Sequence, residues 1–124
     1  MLAQAAAAQP PATPPPDVDL SDAVAGCLTK GNACLAHCLA LLGAGDTSMA
    51  GCAHAVFQMH AVMQGLAAVA ATHGSRLPEL ARAASGFCSD CESECRRHAA
   101  QHGVCKDCAE ACARTVAACR KYLA

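Results

Sequence analysis

The chain has 124 residues, 54% of them hydrophobic, with 11 Cys, one Tyr, two Phe and no Trp, and a formal net charge of −1. That length suits one domain with a modest core, which Ala, Leu, Val, Met and Cys have to build. A near-neutral balance of interspersed signs excludes the basic field of a nucleic-acid or anionic-membrane binder, and no apolar run spans a bilayer without Gly, His or charge interrupting it.

Residues 1–16, MLAQAAAAQPPATPPP, read as an Ala/Pro-rich arm outside the domain, because repeated Pro denies a helix and favours extended, solvated backbone. The arm lacks the basic-then-apolar pattern of an intact signal peptide. It reads as the tether left after a signal was removed, or as a cytosolic tail.

Residues 17–124 read as a single metal-binding domain of four helical segments. The first is predicted from Asp19 or Ser21, either a credible cap, to Leu42, with the glycines at 43 and 45 as its stop. The second opens at Asp46, Thr47 and Ser48 and continues to about His73. The third begins near Pro78, suited to a first turn, and continues to about His102, before Gly103. The fourth runs from Val104 or Cys105 to Tyr122, with Arg120 and Lys121 favourable in its last turn. Short connections between helices ~30–40 Å long imply antiparallel neighbours. The predicted fold is all-α, an up-down-up-down four-helix bundle with a Cys-lined core.

Projection at ~100° per residue gathers the thiols of each helix on one face. CKDCAEAC supplies Cys105, Cys108 and Cys112, which share an arc of ~60° with Cys119. CSDCESEC supplies Cys88, Cys91 and Cys95, and His98 and His102 continue that face within ~80°. Cys27, Cys34 and Cys38 fall within ~40°, and Cys52 shares its face with Met49, Val56, Met59 and Met63. Lys106, Asp107, Glu110 and Arg114 lie to the sides and outside. The pattern predicts a column of soft donors along the bundle, with Met49, His98 and His102 at its mouth. Leu20, Val24, Leu66, Leu80 and Tyr122 would close the far end with an apolar plug.

Cysteine can serve as a small core hydrophobe, which accounts for one or two thiols but not for eleven on inward arcs. A disulfide scaffold leaves one thiol over, and bridges between consecutive turns of one helix close almost no loop. Structural zinc takes four ligands held by turns, which C-x2-C-x3-C on a straight helix does not provide. Neither triple matches a ferredoxin run, and inward thiols lack the exposure of a catalytic cysteine. Cu(I) fits best: it is soft, accepts two or three sulfurs, and its charge cancels that of bridging thiolates. Eleven bridging thiolates would hold roughly one ion each, stored rather than turned over, so the chain reads as no enzyme. A disulfide-bonded or zinc-binding helical protein, structural or redox, is the alternative. Met49, Met59 and Met63 are candidate thioether ligands or core filler. His98 and His102 are candidate ligands where copper enters, and His37, His54, His60 and His73 read as surface or edge residues.

On Cys27, Cys34, Cys38, CSDCESEC, CKDCAEAC and Cys119, residues 19–124 resemble the bacterial copper storage proteins, four-helix bundles that hold many Cu(I) ions inside. The resemblance implies a homo-oligomer, a tetramer of bundles, and copper entering at a Met/His-bearing open end. The chain departs from the family pattern in its second helix, which has one cysteine. The family has exported and cytosolic forms, and the Ala/Pro arm with a moderate cysteine count favours an exported, periplasmic protein here.

Overall fold

The computed structural model describes residues 12–124. Residues 12–17 have no regular secondary structure, and residues 1–11 of the expected arm lie outside the described residues. Four helices follow: α1 (Val18–Gly43), α2 (Ala50–Ala71), α3 (Leu77–Arg96) and α4 (Gly103–Leu123). α1 packs on α2 and α4, and α3 packs on the same two, while the diagonal pairs do not meet. The cross-section is therefore square, with one shared interior.

The cap of α1 lies upstream of the predicted start. Asp17, not Asp19 or Ser21, accepts from the Leu20 N–H at 2.9 Å, and Asp19 sits in the first turn, where the helix dipole favours an acid. Asp46 accepts from the Ser48 N–H at 2.9 Å, which builds a turn and delays α2 to Ala50. Pro78 occupies the first turn of α3 as expected.

The largest departure is the end of α3, at Arg96 rather than about His102. The N–H groups of Arg97, His98, Ala99 and Gln101 each bond three residues back, a tightened turn that starts the reversal six residues early. No Gly or Pro in RRHAAQ marks the break; the antiparallel return to α4 imposes it.

The inward face of every helix follows an alternating three- and four-residue step, as in a coiled-coil seam. In α1 it reads Leu20, Val24, Cys27, Gly31, Cys34, Cys38; in α4, Cys105, Cys108, Cys112, Thr115, Cys119. α2 and α3 do the same, with Cys52, Val56, Met59, Met63, Leu66 and Leu77, Ala81, Ala84, Cys88, Cys91, Cys95. At the far end Leu20, Val24 and Leu66 are buried, whereas Leu80 and Tyr122 are half-buried at the edge of the plug. α1 is long and apolar enough by composition to cross a membrane, yet its apolar stripe is spent on the bundle interior.

The exterior is uneven. Residues 47–75, which include all of α2, contain no Asp, Glu, Lys or Arg. Leu39 and Phe57 stand 55% and 63% exposed on that side. Charged residues instead populate α3 and α4, with ion pairs such as Arg96–Glu92 at 2.9 Å.

Candidate metal centre

All eleven cysteines are free and fully buried, as are Met49, Met59 and Met63. The sequence reading that put these fourteen sulfurs on inward faces is what the four helices deliver. Neighbouring sulfurs lie at Cys52–Cys95 3.6 Å, Cys34–Cys52 3.8 Å, Cys27–Cys112 3.8 Å, Cys34–Cys105 3.9 Å and Cys91–Cys95 3.9 Å. A disulfide bond is ~2.05 Å long, so these are separate thiols in van der Waals contact. With a metal–thiolate bond of ~2.3 Å, a trigonal ion needs its sulfurs ~4.0 Å apart and a linear one ~4.6 Å. Thiols already stand near that range.

Three sets of sulfurs converge within 4.8 Å: Cys34, Cys52 and Cys105; Cys34, Cys95 and Cys108; Cys91, Cys108 and Cys112. They overlap, since Cys34 and Cys108 each belong to two, and they step down the axis from the α1–α2 end. Each set draws on three different helices except the last, where α4 supplies two. Among the described residues each set has three sulfurs, one short of the closed tetrahedron structural zinc takes. Shared sulfurs are what a chain of thiolate-bridged soft ions requires.

The protons on these sulfurs are unevenly held. Burial, with the neighbouring Cys52 sulfur adding repulsion, pushes Cys38 up to about 11 and Cys105 up to about 12. Burial also raises Cys119. Other sulfurs attract donors and become the acidic ones. Cys112 and then Cys88 donate to Cys27, which falls to about 4, and Cys34 and then Cys95 donate to Cys52, which falls to about 3. Cys108 is shifted below the ordinary thiol range, chiefly by hydrogen bonding from Cys112, while Cys34, Cys95 and Cys112 are shifted up, chiefly by donating to Cys108. Sulfurs this close cannot all ionise unaided; a bound cation would replace the remaining protons.

The histidines correct the sequence reading. His98 and His102 do not extend the α3 face, because the helix has ended: His98 lies in the turn and His102 is the residue before α4, in extended conformation. Both still come to the Cys38–Cys105 end. His98 Nε2 lies 3.6 Å from Glu94 Oε1, and His102 Nδ1 is 2.9 Å from His37 Nε2. His37, expected at the surface or a helix edge, is half-buried and meets His102 at this end. Its place next to Cys38 was the available signal. His54 and His73 are exposed, and His60 is half-buried at a helix edge. Glu94 reaches over the first turn of α2, where a Cβ on Gly51 would lie 2.6 Å from Oε1.

Thr115, whose hydroxyl is no soft donor, fills the step between Cys112 and Cys119. It is fully buried and donates to the Ala111 carbonyl at 2.9 Å and lies 3.3 Å from that of Ala23.

Comparisons with known proteins agree with this geometry. The family model described as Csp, copper storage protein, matches residues 17–124. Apo copper storage protein 3 from Bacillus subtilis shares the fold, with a TM-score of 0.75 at 23% identity over 86% of this chain and 97% of that one. A copper storage protein from Streptomyces lividans, loaded with 10 copper equivalents, aligns at TM-score 0.76 and 28% identity, covering 84% of this chain and 80% of that one. A cytosolic copper storage protein from the same organism, with five coppers, aligns at 0.63 and 27% identity, covering 84% and 94%. No curated protein sequence matches the chain. The cytosolic relative overturns the expectation of an exported protein, which rested on the composition of the arm and a moderate cysteine count. Repeated Pro disfavours a helix but carries no address. Buried thiols in overlapping trios on a square bundle and a family match over the whole described bundle lead to one conclusion: the chain belongs to the copper storage protein family.

Proposed function

We propose that the chain stores copper as Cu(I), roughly one ion per thiol, on Cys27, Cys34, Cys38, Cys52, Cys88, Cys91, Cys95, Cys105, Cys108, Cys112 and Cys119. The observation that carries this reading is the overlap of the three thiol trios through Cys34 and Cys108. Bridging lets each sulfur serve two ions, and one Cu⁺ per thiolate leaves the interior nearly neutral. Met49 at the mouth, and Met59 and Met63 deeper, add thioether donors, while His98 and His102, joined by His37, receive copper where it enters. The role is storage without catalysis, in the cytosol.

Anaerobic titration of the reduced protein with Cu(I) against a chromophoric chelator tests this. Tight uptake of about eleven ions is expected. Saturation at one or two ions overturns the reading.

The storage unit is a homo-oligomer, and a second copy of the chain covers the uncharged side. α2 and residues 31–43 of α1 present on the order of 500 Å² in plan, from a helix width of ~10 Å and a rise of ~1.5 Å per residue. Side-chain relief brings that toward the ~800 Å² per partner of a stable interface. Phe57 protrudes beside a groove lined by Leu35, Leu39 and Leu42, so a two-fold axis would seat each copy's ring in the other's groove. Phe57→Lys should shift the particle to a smaller size in gel filtration with light scattering; an unchanged size argues against this face.

A further inference from the structure

α2 gives the column one thiolate, Cys52, and then two thioethers on the same face, Met59 and Met63. Each thioether meets one thiol from another helix. Cys27 Sγ lies 3.4 Å from Met59 Sδ, and Cys88 Sγ lies 3.9 Å from Met63 Sδ. All four side chains are fully buried.

A methionine in a core is ordinarily filler, and leucine would fill the same volume with a firmer rotamer. The opposite wall argues otherwise. Gly31 interrupts the inward face of α1, between Cys27 and Cys34, and a Cβ there would stand 3.0 Å from the Met59 methyl carbon. A glycine inside a helix is unfavourable for the helix. Here it clears the space the methyl group occupies while the sulfur faces Cys27.

Resting on the storage reading above, we propose that the deep half of the column is a second, looser tier of copper sites, Cys27–Met59 and Cys88–Met63. The reason lies in donor charge. A Cu⁺ ion among Cys34, Cys52 and Cys105 is held by several anionic thiolates. An ion between Cys27 and Met59 is held by one thiolate and one neutral thioether, which matches the metal's softness but adds no charge. The thiolate trios therefore fill first and empty last. The deep pair fills last and is surrendered first, so the protein buffers at two levels of free copper. Each thioether site then pairs one Cu⁺ with one thiolate, so the charge of the pair cancels.

The test is stepwise Cu(I) loading and withdrawal with chelators of graded strength, on the wild type and on Met59→Leu/Met63→Leu. Methyl-¹³C methionine spectra are recorded in parallel, with resonances assigned from the single variants. The wild type should show a final phase of about two ions held at least about tenfold more weakly than the rest. The methyl signals of Met59 and Met63 should move only in that phase. The double leucine variant should lose that phase and keep the tight one. Wild-type uptake near one ion per thiol, with methionine methyls unmoved or with the same isotherm in the variant, overturns the two-tier proposal and leaves storage standing. Uptake of only one or two ions overturns both.

Discussion

The two ends of the bundle interior are built on the same three- and four-residue step, yet they do different work. At the Cys38–Cys105 end that step carries thiols, bordered by His37, His98, His102 and Glu94. At the other end it carries Leu20, Val24 and Leu66. The lesson is that periodicity decides which atoms face inward, and residue identity decides whether the inside is glue or ligand. Cysteine suits the division because it packs as a small side chain and can also hold a soft metal through its sulfur.

Truncating the plug should have the largest effect on stability. Leu66→Ala is expected to cost the metal-free protein ~2–5 kcal/mol in chemical denaturation, as for other fully buried leucines. Its copper capacity should stay unchanged while it remains folded. Cys91→Ala removes far less volume and should cost ~1 kcal/mol, but it takes a ligand from a trio. If the two variants lost stability equally, the contrast between the ends would fail.

Within the column, capacity should follow how many trios a sulfur joins. Cys108→Ser, shared by two trios, should lose about two ions, and Cys91→Ser, in one trio, about one. Elemental analysis of copper per protein after loading and desalting reads this directly. Equal losses would mean that the trios do not overlap in function.

Gly31→Ala sharpens the comparison at finer scale. Helix propensity gains ~1 kcal/mol, and the Met59 methyl has to shift to make room, so overall stability should change little. The weak phase of copper binding should weaken further while the tight phase holds. A variant whose two phases respond alike would contradict the role given to the glycine.

A last expected effect is on pH. Cys38 and Cys105, raised from 9.0 to about 11 and about 12, are neutral in both folded and unfolded chains below pH 9. Above that value the unfolded chain releases their protons while the folded one retains them. Their contribution is therefore fully present below pH 9 and is lost as pH climbs through 11 to 12. Melting temperature of the metal-free protein should decline over that window, and less steeply in Cys38→Ala/Cys105→Ala. An equal slope in both would show that burial at the mouth does not govern these thiols.

Much of this was legible in the sequence because the signal was periodic. Eleven cysteines on inward arcs defined both the bundle and the column, and Gly31 and Thr115 occupied steps of the same rhythm without being read as part of it. What the sequence did not disclose was set by tertiary geometry. The residues RRHAAQ contain nothing that stops a helix, so the end of α3, and with it the placement of His98 and His102, depended on where α4 had to begin. His37 lay one residue off its thiol face, and only its hydrogen bond to His102 across the mouth shows its place. The composition of the Ala/Pro arm held no information about compartment.

The scarcity of aromatic side chains has an optical consequence. There is no Trp, Phe57 and Phe87 stand 63% and 36% exposed, and Tyr122 sits at the edge, so no ring lies within the sulfur column. The protein is nearly colourless in the near ultraviolet, and copper–thiolate charge-transfer bands will stand against an almost blank background. Light emitted by excited copper clusters would come from a dry interior with no indole to quench it. In this molecule the cargo is its own reporter, and filling can be followed ion by ion without a label.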